Sequence, residues 1–205
     1  MKRISIIILF AFALMSAKAQ TAAQKACMQE ARDAYAVAMK SMEEAQEIPE
    51  LDCSFHVTKK RNFPGSGPQT YSIDYFCHNS YDEEAGGVLP LDASDVYFIR
   101  VHYNWAARQY TYEYVLDGKG GVLFVYQVCD GDPSGYMEVP EGAKFESRMY
   151  FSRNGAFCYG YQQAKHGDGK VTGMQTLNGK SLQVVEQQRL FQELMATFKC
   201  VSVEL

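Results

Sequence analysis

The sequence predicts an α+β fold, a curled antiparallel sheet of about seven strands covered by an N-terminal and a C-terminal helix. Three observations carry that expectation. Alanines and a few larger apolar residues recur at steps of three or four through residues 22–46. From Cys53 the apolar period drops to two, broken at intervals by Gly, Pro, Asn and Asp. Helical spacing then returns in "SLQVVEQQRLFQELMATF".

The chain begins with "MKRISIIILFAFALMSAKAQ": two basic residues, an apolar run from Ile4 to Met15, and Ala17 and Ala19 at −3 and −1 of a cut. This is the form of a secretory signal peptide over residues 1–19. The apolar run is short of the roughly 20 residues that cross a bilayer. Residues 20–205 then form a single α+β domain. Of 20 basic residues the leader takes Lys2, Arg3 and Lys18, leaving 17 against 24 acidic ones, a net charge of −7. That balance, without a basic run, argues against nucleic acid as a partner. All six cysteines lie after the leader, as in a disulfide-bearing periplasmic or secreted protein.

In the first predicted helix, Ala23, Cys27, Ala31, Ala34, Ala38, Met42 and Ala45 make a narrow seam. Strand-like runs follow near 53–62, 69–78, 95–104, 109–117, 122–129, 144–152 and 156–163. Residues 167–173 read as loose. Ser181 is the expected N-cap of the last helix, which carries Val184, Phe191, Leu194, Met195 and Phe198 on one side.

Two hairpins have a predictable register. Around "FPGSG", pairs whose numbers sum to 130 put Phe55 opposite Tyr75 and Val57 opposite Ile73; a slip of one residue would mix the faces. The same register opposes Cys53 to Cys77, a candidate disulfide, and His56 to Asp74. At "DGKGG", a three-residue loop sets Tyr110, Tyr112, Tyr114 and Leu116 against Val128, Tyr126, Phe124 and Val122. That expectation makes one aromatic face.

A helix followed by a curled meander resembles the cystatin-like and NTF2-like layout, with the half-barrel of periplasmic lipoprotein carriers as the other arrangement of this kind. The leader ending "SAKAQ" and the hairpin "ESRMYFSRNGAFCYGYQ" are similar to exported proteins of the Bacteroidota. The likeness implies a periplasmic or extracellular Gram-negative setting and no activity.

Residues with chemistry are few. Asp130, Asp132, Ser134, Gly135 and Glu141 fit the calcium-loop pattern D-x-[DN]-x-[DN]-G-x₅-E, with the Tyr136 carbonyl and Glu138 at its seventh and ninth places. Strand-like flanks and Pro133 speak for an acidic strand connection instead. His56 and Asp74 could act as a general base and its orienting partner, or stand as a cross-strand pair. No zinc spacing, G-x-S-x-G elbow or phosphate loop occurs. The 14 tyrosines and Trp105 supply flat faces with polar tips. The expected function is therefore an exported, non-enzymatic domain that binds a small molecule or protein. Tyr110, Tyr112, Tyr114, Tyr126 and the turn residue Trp105 are its candidate contacts, with no cofactor unless the acidic loop holds calcium. A periplasmic enzyme using His56 and Asp74, or calcium, is the alternative.

Overall fold

The change of period at Cys53 is also the change from helix to sheet. A computed structural model describes residues 20–47, 52–65, 67–79, 81–82, 87–88, 91–131 and 136–202. The expected signal peptide, residues 1–19, lies outside the described residues. Helix α1 is Ala22–Glu47. It opens with a reciprocal cap: the Gln24 amide donates to Thr21 Oγ1, and the Thr21 amide donates to Gln24 Oε1, satisfying two amides that the first turn leaves unpaired.

The strands are β1 (Asp52–Phe63), β2 (Gly67–His78), β3 (Tyr81–Asp82), β4 (Gly87–Val88), β5 (Val96–Trp105), β6 (Arg108–Leu116), β7 (Val122–Asp130), β8 (Ala143–Phe151), β9 (Phe157–His166) and β10 (Val171–Thr176); helix α2 is Leu182–Ser202. Eight of these form an open antiparallel sheet in the order β1-β2-β5-β6-β7-β8-β9-β10, with β3 and β4 paired separately. Apart from that excursion, each strand lies beside its neighbour in sequence, as hairpin connections dictate.

The sheet has one more long strand than the sequence predicts. β10 falls where 167–173 read as loose, and its pairing with β9 is interrupted between Thr172 and Gln175, around Gly173 at φ 63°. None of its six residues is buried, so no apolar alternation marks it.

The first hairpin has the predicted register throughout: Phe55 pairs with Tyr75, His56 with Asp74 and Cys53 with Cys77. A disulfide also ties α1 to the sheet. Cys27 of α1 is bonded to Cys158 of β9, with Cα atoms 6.6 Å apart and 131 residues between them in sequence.

The second hairpin is corrected by one residue. Its turn end is as predicted, Leu116 facing Val122, but the next pair is Val115 with Phe124. Leu123 is a β-bulge, and beyond it every partner shifts: Tyr114 meets Val125, Tyr112 meets Gln127 and Tyr110 meets Cys129. Because side chains alternate with a period of two, the shift sends Tyr126 to the opposite face from the other three tyrosines.

The two faces are covered differently. Against one lies α2, whose Val184, Phe191, Leu194, Met195 and Phe198 are all buried with Tyr75, Ile99, Tyr114, Phe145 and Met149. The Tyr75 hydroxyl donates to the Leu194 carbonyl at 2.7 Å, and the Tyr114 hydroxyl to Gln187 Oε1 at 2.5 Å. Ser181 precedes α2 as expected; its carbonyl accepts the first helical amide, while its hydroxyl accepts from Asn178 N. Against the other face lies α1, which buries only Cys27, Met28, Ala31 and Ala38 on an aromatic surface that includes Phe98, Phe124 and Tyr150.

Candidate functional site

The cross-strand register writes two rows of side chains across the face under α1. One row is aromatic: Phe76, Phe98, Val115, Phe124, Tyr150 and Tyr159, each directly opposite the next. The helix seam rests along it. The neighbouring row, two residues along each strand, is His56, Asp74, Arg100, Glu113, Tyr126, Arg148 and Tyr161. Its charges alternate in sign from Asp74 to Glu113, which is how directly opposed residues in a sheet stabilise one another.

Charges this close to a covered surface need partners, and they have them. Glu113 Oε1 accepts from Arg100 Nη2 at 3.1 Å, and its other oxygen from the Tyr35 hydroxyl at 3.3 Å. Arg148 donates from Nη2 to Glu146 Oε1 at 2.7 Å. The Glu146 carboxylate is only 1% exposed, and Gln163 Nε2 donates to its second oxygen at 3.3 Å. The Arg148 guanidinium also lies over the Tyr126 ring, 5.6 Å from its centroid. Burial, and then Glu146, push the Tyr126 hydroxyl up to about 12. Burial and Glu113 raise Tyr35 as well. Both phenols therefore remain donors at neutral pH.

Between these rows and the helix is an open cleft of about 360 Å³, lined by Ala31, Arg32 and Tyr35 from α1 and by Glu113, Phe124, Tyr126, Arg148 and Tyr150 from the sheet. Its origin is local. Ala31 reaches no farther than a methyl group, so the helix cannot fill the space below it. Tyr35, one turn on, stands edge-on to Phe98 and Phe124, at 6.3 and 5.9 Å between ring centroids, and walls the space off.

A second groove, of about 540 Å³, opens on the other face at the free end of the first hairpin. Trp105 lines it at 42% exposure; it is the last residue of β5, paired with Arg108, rather than a turn residue.

The structure separates the predicted site residues. Tyr110, Tyr112 and Tyr114 are buried under α2 and line neither opening. Of the predicted tyrosines only Tyr126 reaches the cleft. His56 Nδ1 meets Asp74 Oδ1 at 2.6 Å and Nε2 meets Thr58 Oγ1 at 2.8 Å. The His56 side chain is 59% exposed, and neither it nor Asp74 lines either opening, as for a cross-strand pair on the open surface.

In the acidic stretch, Asp132, Ser134 and Gly135 lie outside the described residues. Asp130 pairs with Lys144 at 2.7 Å. The Tyr136 carbonyl accepts from Gln162 Nε2 at 3.2 Å, its hydroxyl donates to Glu186, and Glu138 and Glu141 are exposed. Among the described residues no three His, Cys, Asp or Glu side chains are grouped to hold a metal, and no helix is long and apolar enough to cross a membrane.

Tyr35, Glu113, Phe124, Arg148 and Tyr150 were not legible as site residues. The signal for two of them is a charge among aromatic strand residues: Glu113 in "YTYEYV" and Arg148 in "SRMYF". Comparison with known proteins finds no matching family model, curated protein or solved structure.

Proposed function

We propose that this protein is an exported, non-enzymatic binding domain whose ligand is a small flat molecule with an anionic edge, held in the cleft under α1. The observation that supports it is the meeting of the aromatic and charged rows at a half-open cavity. Such a mixture of apolar walls and a few fixed polar groups is what small-molecule sites use. Phe124, Tyr126 and Tyr150 offer ring faces, Arg32 and Arg148 offer positive charge, and the Tyr126 phenol offers a donor, that of Tyr35 being given to Glu113. Export is supported by the leader, and the Cys27–Cys158 bridge fits an oxidising compartment. Binding is favoured over catalysis because His56 is 59% exposed and neither it nor Asp74 lines the cleft or the groove.

The test is an NMR titration of the oxidised domain, residues 20–205, with a panel of aromatic carboxylates. Shifts should cluster at Tyr35, Glu113, Tyr126, Arg148 and Tyr150, and Tyr126→Ala should weaken them about tenfold, the loss of one good contact of roughly 1.4 kcal/mol. Shifts that avoid the cleft, or that survive Tyr126→Ala unchanged, would refute the assignment.

A further inference from the structure

The end of the first hairpin carries a second kind of chemistry. On the face shared with α2, β1 runs Phe55, Val57, Lys59, Arg61, Phe63, so the apolar row becomes cationic where it leaves the core. Lys59, Arg61 and Arg189 of α2 line the groove there, against one carboxylate, Glu193. This is a local reversal in a chain of net charge −4.

The same groove holds an aromatic platform. Trp105 and Phe63 have ring centroids 5.2 Å apart at an interplanar angle of 50°, and the Arg61 guanidinium lies 5.0 Å from the Phe63 centroid. Trp105 is placed there by a two-residue turn to Arg108. Ala106 in that turn has φ 52°, the only non-glycine residue with positive φ among those described. That conformation costs a residue bearing a Cβ roughly 1–2 kcal/mol, and strain of this kind gathers at ligand sites.

We infer that this groove binds an acidic oligosaccharide, a pyranose chain carrying carboxylates, independently of the cleft under α1. The weakly positive C–H face of a pyranose ring is the complement of an indole's negative face. Arginine and lysine beside that ring meet a sugar carboxylate with charge-assisted hydrogen bonds. A volume of about 540 Å³ is within the range of small-ligand sites. An acidic peptide would match the cations, but it would make little use of an exposed indole platform.

Trp105 is the only tryptophan in the chain, so its emission reports on this groove alone. Tri-galacturonate titrated into residues 20–205 should change that emission saturably. Affinity should fall roughly tenfold in Arg61→Gln, as expected for one lost charge-assisted bond, and should weaken as salt rises. Lys59→Gln is the second variant, and an unchanged melting temperature shows that each variant is folded. Maltotriose, the neutral comparator, should bind at least ten times more weakly. An equal response to maltotriose, a response to hexaglutamate but not to the uronate, no response at all, or full affinity in both folded variants would each overturn the assignment.

Discussion

The two helices cover one sheet by different means. Helix α2 is held by packing: five large apolar side chains go to the core, and tyrosine hydroxyls from the sheet donate to its Leu194 carbonyl and Gln187 side chain. Helix α1 buries an alanine seam with one methionine, and a covalent bond between Cys27 and Cys158 holds its N-terminal part to β9. Small side chains release little apolar area from water, so α1 needs the bond more than α2 would. They also leave room, and the cleft lies under the alanines. Packing of large side chains closes the sheet beneath α2 into a core, whereas the tether over small residues leaves a cleft beneath α1.

The largest effect should come from cutting the tether. Replacing Cys27 and Cys158 by Ser should cost about 5 kcal/mol, the loop-closure entropy for a separation of 131 residues. Urea unfolding of the double variant beside the oxidised protein measures it. A loss under 1 kcal/mol would mean that α1 is held by its packing after all.

Truncation of α2 comes next. Phe198→Ala removes a side chain with no exposed surface and should cost roughly 3–5 kcal/mol. On α1, Ala38→Gly should cost only about 1 kcal/mol, mostly helix propensity. Equal costs would erase the contrast between the helices.

The helices, the change of period and the first hairpin were legible because each is a local pattern. Phe55, Val57, Ile73 and Tyr75 can share a face in only one register. The second hairpin was not, since a bulge at Leu123 leaves no mark in a run where Val122, Leu123, Phe124 and Val125 are all buried. An apolar run without alternation does not reveal which face each residue takes. The misplacement of Tyr126 followed from that, and with it the site. Glu113 and Arg148 lie on strands separated by β7, and only correct registers through both hairpins bring them to one cleft. The edge strand β10 was hidden for a different reason, having no buried face to show.

Two smaller effects sharpen the contrast. Burial holds the phenols of Tyr103, beneath α2, and Tyr126, beneath α1, up at about 12. Their unfolded value is about 10, so each favours the folded state below pH 10 and loses that contribution as pH rises from 10 to 12. Alkaline stability should therefore fall across that window, followed by urea unfolding at successive pH values. Stability flat to pH 12 would contradict the burial of both faces. Under α2, Ser147 Oγ is buried without a hydrogen bond. Ser147→Ala should therefore raise stability by up to about 1 kcal/mol, visible as a higher melting temperature.

The contrast between the helices is tested most directly by amide hydrogen exchange, resolved along the chain, in oxidised and reduced protein. In the reduced protein, α1 amides should exchange at least roughly tenfold faster than those of α2, because the tethered helix opens as its own unit. If the two helices exchange at one common rate after reduction, packing alone holds α1, and the cleft beneath it is not the product of a tethered cover.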